Sequence, residues 1–183
     1  MNEVIKMENV IKMYPPKRRA VNGVSLCVGN GEYISIYGTP GSGKTTLMRL
    51  IAGTEPVSDG TVIVLDKPVH TMDADTLADF RNRIFGVMQR SPGFIETLSV
   101  VDNIALPLLL RRVPTEQREA AAVEWLKTLG VPQLSHAMPE HLSPYESQLV
   151  SMARALITDP KILLLDEITA DLTKHESERI IGI

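Results

Sequence analysis

Gly38-Thr39-Pro40-Gly41-Ser42-Gly43-Lys44-Thr45 fills every fixed position of the phosphate-loop pattern G-x-x-x-x-G-K-[ST]. Upstream, Tyr33-Ile34-Ser35-Ile36-Tyr37 is short, β-branched and aromatic, which predicts a strand. Downstream, Thr46 to Ala52 predicts a helix that stops at Gly53. Strand, glycine loop and helix are the context this motif requires. Gly38, Gly41 and Gly43 lack a Cβ, so the backbone can turn sharply and approach a ligand closely. The N–H groups then form an anion nest, to which the helix start adds partial positive charge. Lys44 is a point charge for the β- and γ-phosphates, and the Thr45 hydroxyl a ligand for Mg²⁺. Gly38, Thr39, Pro40, Gly41, Ser42, Gly43, Lys44, Thr45 and Thr46 form the candidate nucleotide-binding run. The competing reading is a glycine turn with a chance lysine, and four fixed positions in this context argue against it.

A second stretch answers the first. Ile162-Leu163-Leu164-Leu165-Asp166-Glu167 is a continuous apolar run ending in two acids, the pattern of a parallel strand buried on both faces. Such strands deliver ligands at their carboxyl ends. Asp166 is placed to hold Mg²⁺, directly or through water. Glu167 is placed to polarise a water for attack on the γ-phosphate.

Around these two stretches the chain divides in character. Val4 to Tyr14 predicts one or two strands, Pro15 to Arg19 a loop, Val24 to Val28 a strand, and Thr61 to Leu65 another after the turn Ser58-Asp59-Gly60. Asp73 to Asn82 predicts a helix with Leu77 and Phe80 inward, and Ile84 to Met88 a strand ending at Gln89. From Ser91 to Ile157 the pattern is helical. Val100 to Leu106 predicts a short helix ended by Pro107. Thr115 to Leu129 predicts a helix capped by Thr115 and closed by Gly130, with Ala122, Trp125, Leu126 and Leu129 as its inward stripe. Ser143, Pro144 and Glu146 stand at the cap, first and third positions of a helix reaching Ile157.

At 183 residues the chain predicts one domain with room for a subdomain. A net charge of −3, with no basic run interleaved with aromatics, excludes nucleic acid as the expected partner, and Lys17-Arg18-Arg19 reads as a solvated loop. Cys27 is the only cysteine, so no internal disulfide can form. Met1-Asn2-Glu3-Val4 lacks the basic and apolar regions of a signal peptide, and the longest apolar run, Ile104 to Leu110, is far short of the ~20 residues that span a bilayer. The expectation is a cytoplasmic protein that meets a membrane only through a partner. His70, His136, His141 and His175 lack metal-ligand spacing and read as surface residues.

With these residues in hand, nearly the whole chain resembles the ATP-binding cassette (ABC) family, and Asp102-Asn103-Ile104-Ala105-Leu106-Pro107 resembles its lipoprotein-release and macrolide-export subgroup. The resemblance implies an α/β P-loop NTPase, RecA-like in its core, with an N-terminal antiparallel β subdomain and an inserted helical subdomain. It sets the boundaries at 1–90 and 158–183 for the nucleotide-binding core with the β subdomain, and 91–157 for the helical subdomain. It implies an ATP-hydrolysing subunit using ATP and Mg²⁺, with Tyr14 stacking on adenine. Gln89 would contact Mg²⁺ and water and sense the membrane subunit, and Glu167 would be catalytic. Ser151 to Leu156 resembles the helix after the family's signature. The implied partners are a transmembrane permease and a second ATP-binding subunit, in a homodimer or heterodimer, so that the chain lies on the inner face of the membrane.

The sequence also departs from the family. Leu142-Ser143-Pro144-Tyr145-Glu146 stands where the resemblance implies Leu-Ser-Gly-Gly-Gln, the signature that meets the ATP held by the partner. Pro144 removes an N–H, Tyr145 replaces a glycine, and Glu146 brings a negative charge toward a phosphate. Leu149 replaces an arginine and Ile168 a proline, and Ala170-Asp171-Leu172-Thr173 stands for Ser-Ala-Leu-Asp. The sequence stops at Ile183, ahead of the family's switch histidine, which reads as a truncated or degenerate member. Two rivals follow: a non-hydrolysing, ATP-dependent scaffold on a membrane protein, and a kinase. The kinase would need an arginine-rich lid, for which only Arg111-Arg112 is on offer.

Overall fold

The computed structural model describes residues 3–183. Met1 and Asn2, part of the N-terminal stretch read above for a signal peptide, lie outside them. The chain forms two units, Met1–Arg81 and Asn82–Ile183.

In the first unit, β1 (Glu3–Tyr14) is the strand on which the sheet is built. It pairs antiparallel with β2 (Arg18–Gly29) on one side and β3 (Asp59–Val64) on the other, and β3 pairs with the two-residue β4 (Lys67–Pro68), giving the order β2-β1-β3-β4. The buried positions of β1 are Ile5 and Met7, then Val10 and Lys12, so their parity changes in mid-strand. Asn9, with φ +47°, sits at the change, and the register to both neighbours shifts there. This is a β-bulge, whose extra residue turns the rest of the strand over. It also explains why residues 4–14 show no clean alternation. The second half of the strand therefore turns Lys12 inward. Its ammonium is buried against the Glu55 carboxylate at 2.6 Å and the Pro56 carbonyl at 2.7 Å. Lys12 in turn holds the Glu55 carboxyl below the usual carboxylate range.

The helix α1 (Lys44–Ile51) buries Leu47, Leu50 and Ile51, and Gly53 follows it at φ +66°. Residues 33–37 do not form a strand. Tyr33 is 84% and Tyr37 90% exposed, and no described strand runs alongside to take their backbone groups. β-propensity expresses a fit to a pleated, half-buried surface; here that surface is not provided. The loop read over Pro15 to Arg19 is shorter, since Arg18 and Arg19 already belong to β2. His70 is not a plain surface residue: its Nδ1 lies 3.2 Å from the Val62 nitrogen and 3.0 Å from the Val62 oxygen.

The boundary between the units falls within α2 (Ala74–Ile84). In the second unit, β5 (Phe85–Gln89) pairs in parallel with β6 (Ile162–Asp166), and the connection between them contains three helices. These are α3 (Val100–Leu110), α4 (Thr115–Thr128) and α5 (Pro144–Leu156); α6 (Lys174–Ile181) follows β6. Val100, Ile104, Ala122, Leu126, Leu149 and Val150 are buried in one apolar cluster, with Trp125 and Leu129 packed against it as the stripe predicts. Full burial of a leucine such as Leu126 contributes roughly 1.5–3 kcal/mol.

Three expectations change here. α3 continues through Pro107 to Leu110, with the Pro107 carbonyl accepting from Arg111 N–H and from Asn82 Nδ2. Thr115 is the first residue of α4 but not its cap; Pro114 occupies that place and no side chain caps the end. β6 is not buried on both faces: Leu163 and Leu165 are 47% and 40% exposed, and Leu164 is buried. Only one neighbour, β5, covers it among the described strands.

Candidate functional site

The phosphate loop, in the first unit, has the local form an anion needs. Gly43 is the cap of α1 at φ +100°, no side chain caps this helix, and its first turn holds no acid. A Cβ on Gly43 would stand 2.1 Å from the Ala20 carbonyl oxygen, and one on Gly38 would stand 2.6 Å from Ser42 Oγ. At Gly43, where the obstacle is backbone and φ is positive, the loop can be this tight only with glycine; at Gly38 a side chain would have to displace the Ser42 hydroxyl. Gly41 has φ +78°. Lys44 Nζ donates to the carbonyls of Gly38 at 3.1 Å and Thr39 at 3.4 Å, so the ammonium folds across the mouth of its own loop. Thr45 and Thr46 follow on the first turn of α1. The observation that favours a phosphate here is this pairing of an uncapped helix start with a cradle that a side chain would fill.

Tyr14 ends β1, half-buried, with Lys12 Nζ 5.1 Å from the centre of its ring. That is a cation–π contact, and it leaves Tyr14 outside the buried core.

In the second unit, the parallel register sets Gln89 directly opposite Asp166, each the last residue of its strand. An amide oxygen and a carboxylate side by side are hard oxygen donors of the kind Mg²⁺ takes. Glu167 follows with φ +51°, a left-handed conformation rare for a residue with a side chain. Such strain costs of order 1–3 kcal/mol and gathers at functional sites.

The signature-like segment is closed on itself. The Ser143 backbone N–H donates to Glu146 Oε2 at 2.9 Å, and the Ser143 hydroxyl donates to the same oxygen at 2.8 Å. Glu146 N–H returns a bond to Ser143 Oγ at 3.3 Å. The predicted capping box is complete, with Pro144 in the first turn. Tyr145 lies under the Arg179 guanidinium, 5.4 Å from its ring centre. Leu149 is buried in the apolar cluster.

Several structural roles escaped the sequence reading. Gln148, buried on α5, donates from Nε2 to the carbonyls of Gln89 at 3.2 Å and Arg90 at 3.0 Å. Arg90 makes a two-pronged ion pair with Asp171, Nε to Oδ2 at 2.8 Å and Nη2 to Oδ1 at 2.6 Å. Arg154 donates to the Pro92 carbonyl and lies 4.8 Å from the Phe94 ring centre, and burial lowers its pKa. No local pattern announces these contacts, because their partners lie 58 to 81 residues away. The Asp102-Asn103 motif has a structural role. Asn103 is fully buried and bonds the backbone of Ile95, Leu98 and Ser99, while Asp102 accepts from the Ser99 hydroxyl. Arg111 is engaged with Asn82 and the Thr158 carbonyl, which removes it from any lid.

Comparison with known proteins agrees with this geometry. The ABC transporter family model matches residues 21–170. An uncharacterised ABC transporter ATP-binding protein of Thermotoga maritima is 34% identical over all of this chain and 80% of its own length. The lipoprotein-releasing system ATP-binding protein LolD of Chromohalobacter salexigens is 33% identical over all of this chain and 78% of its own. Among solved structures, the dimeric bacterial ABC transporter cassette MJ0796 superposes with a TM-score of 0.91 at 30% identity, covering 97% of this chain and 80% of that one. The same cassette in a dimeric post-hydrolysis state bound to ADP and Pi gives 0.90. An uncapped phosphate loop, a paired glutamine and aspartate at two strand ends, and these likenesses lead to one conclusion: the chain belongs to the ABC transporter family, as an ATP-binding, ATP-hydrolysing subunit with the P-loop NTPase fold.

Proposed function

We propose that this chain binds Mg-ATP at its phosphate loop and couples binding and hydrolysis to a transmembrane permease that it joins from the inner face of the membrane. One observation carries the reading: α1 begins at a left-handed glycine with neither a capping side chain nor an acid in its first turn. In this reading the loop amides from Gly38 to Thr46, with Lys44, hold the phosphates and Tyr14 the adenine. Thr45, Gln89 and Asp166 hold Mg²⁺, which would neutralise charge developing on the phosphates. Glu167 orients and polarises the attacking water, assisted by Gln89. The division into a core (1–90 and 158–183) and a helical subdomain (91–157) belongs to the same proposal. Relatives named as lipoprotein-releasing ATP-binding proteins support a permease partner. No helix of the described residues is long and apolar enough to cross a membrane, which suits a subunit that relies on one. The test is Lys44→Ala in an ATP titration. The expected result is loss of ATP binding with the melting temperature retained; wild-type affinity would end the assignment.

A second reading concerns the partner subunit. Dimerisation is supported by the dimeric cassettes this chain resembles. The Ser143 hydroxyl is occupied by Glu146, and Pro144 offers no N–H. A signature of this kind is a poor receiver of a phosphate. It favours a heterodimer whose other member brings an unaltered signature, or a weakly hydrolysing scaffold, over a symmetric pair. Phosphate release by the chain with its permease, measured with and without a second, different cassette, separates the two: release restored only with that cassette supports the heterodimer, and equally weak release in both supports the scaffold.

A further inference from the structure

Three features of the second unit converge at one place. Gln148 holds the carbonyls of Gln89 and Arg90, which fixes the backbone leaving β5. Arg90 then reaches the loop after β6 and grips Asp171 with two parallel bonds, at 2.8 and 2.6 Å. Asp171 lies four residues past Glu167, and Ala170 N–H closes the intervening turn on the Glu167 carbonyl at 3.1 Å. Arg90, Gln148, Glu167 and Asp171 line the same cleft. Glu167 itself sits at φ +51°, a conformation that its own chain does not favour and that neighbours must hold.

An ordinary exposed ion pair contributes little, because side-chain entropy offsets a screened attraction. This one differs in form. It is a planar fork on a carboxylate, the geometry in which arginine fixes direction as well as distance. It also joins the segment that follows Gln89 to the loop that begins at Glu167. The Glu167 charge adds to that of Asp171 in raising the Arg90 pKa, so the guanidinium lies within the electrostatic reach of both acids.

We propose that Arg90 and Asp171 are positioning residues that act through Glu167, locking the loop after β6 to the end of β5 so that the Glu167 carboxylate keeps its direction. The proposal rests on the assignment of Glu167 as the water-polarising group. Arginine at 90 and aspartate at 171 are then one device: neither has a purpose without the other.

The experiment uses the full chain with Arg90→Ala, Asp171→Ala, the double variant and Arg90→Lys. Steady-state phosphate release gives kcat and KM, ATP titration gives affinity, and hydrogen exchange is followed at the amides of Ala170 and Leu172. Each alanine variant is expected to lower kcat about tenfold while ATP affinity stays within about twofold, the pattern of a lost transition-state contact. Exchange at Ala170 and Leu172 should rise. The double variant should be no worse than either single one, since both remove the same link. Arg90→Lys, which keeps the charge and loses the fork, should fall between. Multiplying effects in the double variant, or unchanged exchange in the singles, overturns the proposal. Absence of phosphate release by the unmodified chain, both alone and paired with a cassette that carries an unaltered signature, would instead refute the role of Glu167, and the exchange measurement would still decide whether the latch exists.

Discussion

Two helix starts in this molecule face the same physical problem and solve it in opposite ways. Every α-helix begins with amides that lack an intrahelical partner and with a partial positive charge. At α1 no side chain of the cap residue takes them up: Gly43 has none, and the first turn contains no acid. At α5 the chain takes them up itself, through Ser143 and the Glu146 carboxylate. The first arrangement sacrifices local stability to keep an anion site open. The second gains local stability and places a negative charge of its own at the helix start. A helix start is therefore a site only where the sequence has refrained from capping it. On the proposed reading, that distinction separates a phosphate loop left open from a signature-like segment closed on itself.

The contrast can be broken most forcefully at Gly43. Gly43→Ala puts a Cβ against the Ala20 carbonyl at a φ hostile to it. Strain and displacement of about 3 kcal/mol correspond to on the order of a 100-fold loss of ATP affinity, measured by titration. Wild-type affinity in this variant would show that the open start of α1 is not what binds phosphate.

Next in size is the closed start. Ser143→Ala removes the cap from α5 and is expected to cost about 1 kcal/mol, or roughly 3 °C in melting temperature for a chain of this length. Glu146→Gln keeps a side chain able to close the box and removes the charge. Combined with Pro144→Gly it should strengthen ATP-dependent dimerisation, seen as a shift in sizing experiments with ATP. No shift would show that charge at this helix start does not limit association.

The smallest effect sharpens the comparison with a third helix. α6 is capped by Thr173 and Glu176 in the same way as α5. The Thr173 hydroxyl and backbone N–H hold the Glu176 carboxyl below its usual range. A lowered folded-state pKa means that the contribution is complete above the ordinary carboxylate range and is lost as pH falls through the lowered value. Protection of the α6 amides, taken relative to the intrinsic exchange rate at each pH, should fall on acidification below the ordinary carboxylate range, and Glu176→Gln should flatten that dependence. Equal pH dependence in both proteins would remove Glu176 from the cap.

Much of this was legible residue by residue. The capping box of α5, the stripe on α4, the stop at Gly53 and the strand that ends in Gln89 each depend on neighbours within about one helical turn, where sequence spacing is spatial spacing. The errors share a different cause. Residues 33–37 have strand chemistry and no strand beside them. Pro107 should end a helix in isolation, yet α3 continues past it with Asn82 bonded to its carbonyl. The bulge at Asn9 turns Lys12 inward to Glu55, a contact that the strand reading of residues 4–14 did not contain.

The order of the chain alone determined the nest of glycines, its lysine, the acids at the end of an apolar strand and the family to which they belong, because these motifs are short and their chemistry resides in residue type. Only the folded chain decided that Gln89 stands beside Asp166, that Gln148 secures the backbone behind it, and that Arg90 grips Asp171. Those contacts join residues far apart in sequence. Their existence depends on how helices and strands pack, a property that no local window contains.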